Sequence, residues 1–293
     1  MDSLWVSNTL VPFSITAGLV LLVLWPTRHS GKRLLQRWGV AEPTDAQKVL
    51  AIRYLWQRRI VYLVLVLAAF ALETYFGQDT SVPGGVFAPL LAAMVIAELI
   101  ATLRPVSGVR EASLDRRTWR DLVPTWAVVV SAVFVVWTAV LLVMVFLARS
   151  WAERYVAEVP VDRAQLAYTS GWSTIGGVVV CVAVLAALVH LAVRRPSVAD
   201  AQVDAALRTR TARVAVGIGF LLLAGFTIDA QQRMWRLTAT ADSAHKSATP
   251  PPGWLTDNLQ QVLEIGSFVA AVIALGCWLT LAMPSRKTPV RAA

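Results

Sequence analysis

Glu98 is the deepest acid in any apolar run of the chain, six positions ahead of Arg104, about 9 Å along a helix rising 1.5 Å per residue. An ionisable side chain at the centre of a bilayer costs at least about 2.5 to 3.5 kcal/mol on insertion scales. A carboxylate at that depth is therefore either a proton or cation site inside a bundle or a group that reaches the interface and pairs with a loop arginine. Glu73, Asp229 and Glu264 sit where apolar runs end. Together they would collect cations or a cationic solute at a vestibule, although ordinary interfacial acids have the same appearance in sequence. His190 stands one turn before Arg194, with no second His, Cys or carboxylate at metal spacing, so it reads as an interfacial polar residue rather than a ligand. HExxH, GxxxxGK[ST], GxSxG and paired-cysteine motifs are missing, and no constellation has defined catalytic roles. The sequence therefore predicts no catalytic residue, no metal, no cofactor and no enzyme.

A second group of residues is basic and occurs twice. The string DAQKVLAIRYLWQR at Asp45 to Arg58 reappears as DAQVDAALRTRTAR at Asp200 to Arg213, each just before an apolar run. Arg53 and Arg58 thereby match Arg208 and Arg213. Close to a membrane surface each cation is attracted to anionic headgroups by roughly 1 kcal/mol, so these four read as anchors on the inner leaflet or as a coupling surface for a cytosolic protein. Asp45 and Asp200 are candidate N-caps, with Thr44 as an alternative in the first copy.

The elements that must position these side chains follow from composition. The 293 residues are 57% hydrophobic and only 15% charged, far more apolar than a soluble domain. The net charge of +9 lies between apolar runs rather than along one face, which speaks against nucleic acid as a partner. Seven runs stand out, at 10–25, 60–76, 86–103, 122–147, 172–193, 214–228 and 265–283. Most approach the 20 residues that a bilayer core requires, and helices alone satisfy their own backbone there. With the amino terminus outside, 21 Lys and Arg fall on the inner side and 6 on the outer, a strong positive-inside bias. The expected fold is all-α: a polytopic bundle of seven spans, N-out and C-in, in the inner or plasma membrane. Trp5, Trp25, Trp126, Trp151, Trp172 and Trp254 fall at expected span ends. Residues 230–261 are expected to form a turn-rich outer segment, and Gly217, Gly219 and Gly225 to allow close helix approach or to break a short sixth span.

The duplicated strings continue into LVLAAFALE and LLLAGFTID, each closing on an acid, Glu73 and Asp229. This predicts two parallel three-span repeats, residues 1–121 and 172–293, joined by a linker span and outer loop at 122–171. In layout alone the chain resembles the SWEET class of transporters, which also join three-span repeats through a single span. In its Arg and Ala bias and basic inner loops it resembles multi-pass membrane proteins of high-GC actinobacteria, a likeness that brings no activity with it. The expected function is permease-like handling of a small solute or lipid. The alternatives are a scaffold or sensor subunit that recruits a cytosolic partner, or the permease subunit of an ATP-driven exporter. The expected partners are a bilayer with an anionic inner leaflet and a cytosolic protein or a second copy of the chain.

Overall fold

The computed structural model describes residues 28–40, 42–76, 95–96, 100, 118–158, 171–194, 201–244, 250–255 and 257–282. Among these residues all regular structure is helical. The helices are α1 (Arg28–Arg37), α2 (Asp45–Phe76), α3 (Trp119–Leu122), α4 (Thr125–Glu158), α5 (Trp172–Arg194), α6 (Ala201–Ala244) and α7 (Asp257–Ala282). Four of them hold stretches long and apolar enough to cross a membrane: Thr125–Tyr155, Trp172–Arg194, Val203–Ala241 and Gln261–Ala282. The expected second span forms the apolar half of α2, while the expected first span and most of the third lie outside the described residues.

Helix α6 is the axis of the bundle. Its spanning stretch is 61% buried, against 28%, 22% and 17% for those of α4, α5 and α7. The outer helices instead display apolar surface. On α4, Val129, Val133, Val136, Val140, Val143 and Leu147 are all exposed, and their alternating spacing of four and three places them on one face. A stripe of that length in water would be an aggregation site, whereas against acyl chains it is matched. The chain is accordingly a membrane protein.

The buried core follows α6 from end to end. Val203, Ala206 and Leu207 pack with Leu35, Trp38, Val40 and Ala51 of the α1–α2 region. The middle of α6, from Ala212 to Ala224, packs on α4, α5 and α7. Beyond it, Ala230, Met234, Leu237 and Ala241 meet Leu141 to Tyr155 of α4 and Leu255 and Leu263. Ala51 and Ala206, equivalent in the duplicated strings, thus share one cluster.

Several local expectations change. Residues 230–244 are not a loop, because α6 runs unbroken to Ala244. At 44 residues it is about 66 Å long, twice the roughly 30 Å of a hydrocarbon core. The basic strings and the apolar runs after them are likewise continuous helices, in α2 as in α6. The glycines of α6 break nothing: a Cβ at Gly219 would overlap Leu185, and one at Gly217 would press on Trp278, so here small residues let helices approach. Trp151 is buried against Tyr155 rather than interfacial, whereas Trp126, Trp172 and Trp254 are exposed. Leu255 is buried beneath the Pro250 to Gly253 turn, which pins that segment to the bundle.

Capping also departs from the expected residue. Thr44, rather than Asp45, caps α2: its backbone N–H donates to Gln47 Oε1 at 2.8 Å and its Oγ1 accepts from the Gln47 N–H at 3.3 Å, a capping box. Asp45 lies in the first turn and pairs with Lys48 at 2.8 Å. Two residues past the end of α1 stands Gly39, whose φ of 100° allows the Val40 N–H to reach the Leu35 carbonyl. That reversal turns Trp38 and Val40 into the core beside α6.

Candidate functional site

Polar side chains gather at two levels of α6, set apart by its apolar middle. Arg213 and Asp229 bound that middle and stand 16 residues, about 24 Å, apart along the axis, close to the thickness of a bilayer core.

At the Asp229 level the charges close on one another. Asp229 Oδ2 accepts from Arg233 Nε at 2.9 Å, one turn further on, and from the hydroxyl of Thr174 on α5 at 2.5 Å. Half a turn away α6 turns a different face to α7. There Gln231, only 1% exposed, accepts at Oε1 from Ser267 at 2.8 Å, while its Nε2 is buried with no hydrogen-bond partner. Gly266 makes room for this amide, since a Cβ there would stand 2.8 Å from Nε2. The indole N–H of Trp235 crosses to Glu264 Oε1 at 3.0 Å. Gln231, Gln232, Trp235, Leu263, Glu264 and Ser267 line a groove of about 280 Å³ between the two helices. Its chemistry is an exposed carboxylate and an indole face, with the buried Gln231 amide behind them. That set suits a small solute with a hydrogen-bond acceptor and a positive charge.

At the other level cations dominate. Arg208 and Asp204 form an i,i+4 ion pair at 2.6 Å, both nearly fully buried, and Arg208 also donates to the Val193 carbonyl. Arg213 donates to the Leu122 carbonyl at 3.3 Å and lies over the Trp38 ring. Around Tyr54 of α2, Arg58 and Arg210 both stack on the ring, at 5.3 and 5.5 Å from its centre. The Tyr54 hydroxyl accepts from Arg210 at 3.3 Å and shares a 3.0 Å hydrogen bond with Thr211, which Arg58 also reaches at 3.4 Å. Burial, and then the charge of Arg210, lower the Arg59 guanidinium from its usual value.

The side chains singled out from sequence are thus divided among separate surroundings. Asp229 faces α5 and is already ion-paired, and Glu264 opens on the α6–α7 groove, so these two do not share a mouth. Glu73 lies in the last turn of α2, and its side chain is outside the described set; Glu98 lies outside the described residues altogether. His190 is exposed on α5, and no group of three metal-binding side chains occurs among the described residues. Of the four anchor arginines, Arg58 and Arg208 are buried, Arg213 is half-buried and Arg53 alone is exposed.

No family model, curated protein or solved structure matches this chain. The site is therefore read from its own residues. Gln231 and Trp235 escape sequence reasoning because residues 230–261 read as a turn-rich segment, where a glutamine carries no depth, and Ser267 because a lone serine in the seventh apolar run does not announce a partner. Arg59, Arg210 and Tyr54 escape it because their convergence joins positions more than 150 apart. The signal available was a stripe, Ala230, Met234, Leu237 and Ala241, at helical spacing.

Proposed function

We propose that this protein is a permease-like membrane protein that binds a small ammonium-bearing solute in the groove between α6 and α7. The observation that carries the reading is the Gln231 amide, 1% exposed with an unpartnered Nε2. A buried donor left unmade costs about 1 to 3 kcal/mol, and a ligand acceptor placed there recovers it. Glu264 and the Trp235 ring supply the countercharge and cation–π face. In this reading the chain has seven spans, with its Arg-rich end in the cytoplasm by the positive-inside bias, so the groove opens outward in the inner or plasma membrane.

A second reading is favoured by one feature, the unbroken 44-residue α6, which joins the groove to the cationic end. A ligand that shifts α6 would be felt by a cytosolic partner, and the protein would then be a sensor or the membrane subunit of an exporter. Titrating the detergent-solubilised protein with tetramethylammonium and a series of primary amines, while following tryptophan fluorescence, tests the groove. Saturable quenching is expected, lost in both Glu264→Gln and Gln231→Leu. Uptake of the tightest binder by reconstituted vesicles then separates the readings: flux supports the permease, and binding without flux supports the sensor. Absence of saturable binding by any of these amines rejects the groove as their site.

A further inference from the structure

We propose that the exposed face of the first half of α2, centred on Val49, Arg53 and Trp56, docks an acidic amphipathic helix of a water-soluble protein. The surface is separate from the α6–α7 groove and independent of what that groove binds. It rests only on α2 being one of the spans proposed above.

Helix α2 is one unbroken rod, with neither Pro nor Gly from Asp45 to Phe76, so the usual causes of a kink are missing. From Ile60 it carries no charge until Glu73, and that stretch is the span. A rod that leaves the membrane along its own axis carries Val49 about 16 Å beyond Ile60, into water. Its inward side is occupied there: Ala51 and Leu55 are buried, and Ala51 packs with Leu35 of α1 and Ala206 of α6. Its outward side is apolar. Val49 is 63% exposed and Trp56 45%, with Leu50 exposed beside them, and the 4-3-4 spacing of Val49, Arg53, Trp56 and Ile60 puts them on one face. Contiguous apolar surface of this kind outside a bilayer marks a protein-binding face.

Charge selects the partner. Arg53 is exposed in the middle of the stripe. Helix α1 brings two more cations to its flank: Gly31 lies so close to Ile52 and to the Lys48 carbonyl that a Cβ would stand 2.9 and 3.0 Å from them, and the exposed Lys32 and Arg33 follow it directly. Lys48 itself pairs with Asp45. A helix with an apolar stripe edged by carboxylates complements this pattern. Anionic lipid would match the charges, but the axis of α2 runs away from the leaflet, so Val49 does not lie in it as an interfacial helix would. A second copy is opposed by symmetry: a two-fold axis normal to the membrane sets α2 parallel to its mate and brings like charges together at Arg53.

The test puts photoreactive benzoylphenylalanine in place of Val49 or of Val64 in the full chain, irradiates it in its native membranes and reads each cross-linked segment by mass spectrometry. Position 49 is expected to take a segment of a soluble protein with apolar residues at helical spacing and net negative charge, and position 64 to take lipid. A synthetic peptide of the captured segment is then titrated, by fluorescence anisotropy, against the full chain in phosphatidylcholine nanodiscs. Trp56→Ala is expected to weaken binding about tenfold or more, as the loss of an interface tryptophan does. Arg53→Glu is expected to weaken it about fivefold, the scale of a surface charge pair, while Arg154→Glu at the far end of the molecule leaves it within about twofold. Lipid at position 49, a second copy of the chain there, a captured segment without net negative charge, no protein adduct, or a peptide indifferent to both α2 variants each overturns the proposal. Soluble protein at both positions supports the docking face and rejects α2 as a span.

Discussion

At the Asp229 end of α6, charge is matched within the bundle, Arg233 answering Asp229 one turn away and Thr174 completing the carboxylate. At the Arg-rich end Asp204 and Arg208 form a more deeply buried pair of the same spacing, and Arg58 and Arg210 gather on one aromatic ring. Both ends are built from the same long helix and lie at opposite levels of the apolar core. The difference teaches what each end can recruit. A neutralised pair beside the Gln231 amide invites a small solute, whereas arginines gathered on a tyrosine ring brace two helices that are far apart in sequence.

The comparison can be broken most forcefully at its buried ion pairs. Asp204→Ala leaves Arg208, 3% exposed, without its counter-ion, and losing one partner of a buried pair costs about 3 to 5 kcal/mol. Denaturant titration in micelles should show a loss of that order. Asp229→Ala should cost less, because its pair is more exposed. Equal losses would mean that burial does not distinguish the two ends. A mid-sized effect is expected where α6 is held between them. Gly219→Ala pushes a Cβ into Leu185, and overpacking of this kind costs about 1 to 3 kcal/mol; the thermal midpoint in detergent should fall, while Gly225→Ala, with open space around it, should leave it unchanged. The smallest effect belongs to the apolar middle, where Thr138 of α4 and Thr227 of α6 share a 2.8 Å hydrogen bond. Thr138→Val should cost about 0.6 kcal/mol, the usual worth of such a bond between membrane helices, and a much larger loss would move the energetic centre of α6 away from its ends.

Much of the helical content was legible because long apolar runs have few alternatives in a membrane. The start of α2 was legible only to within a residue: Asp45 was the expected N-cap with Thr44 as the alternative, and the capping box forms at Thr44 and Gln47. The second half of α6 was not, since AQQRMWRL reads as polar until its buried stripe is compared with a partner helix. The glycines showed a similar division. Gly217 and Gly219 announced a close approach, but nothing in their spacing named Trp278 or Leu185 as the side chains received.

Sequence alone determined that the chain holds long stretches apolar enough to enter a bilayer, because transfer free energy is a property of each segment taken by itself. Only the tertiary structure decided that the least apolar of the four spanning helices occupies the centre, and that Tyr54 meets Arg210 and Gln231 meets Ser267. Periodicity specifies which face of a helix is buried, and the identity of the helix that covers it arises only when all the faces compete to pack.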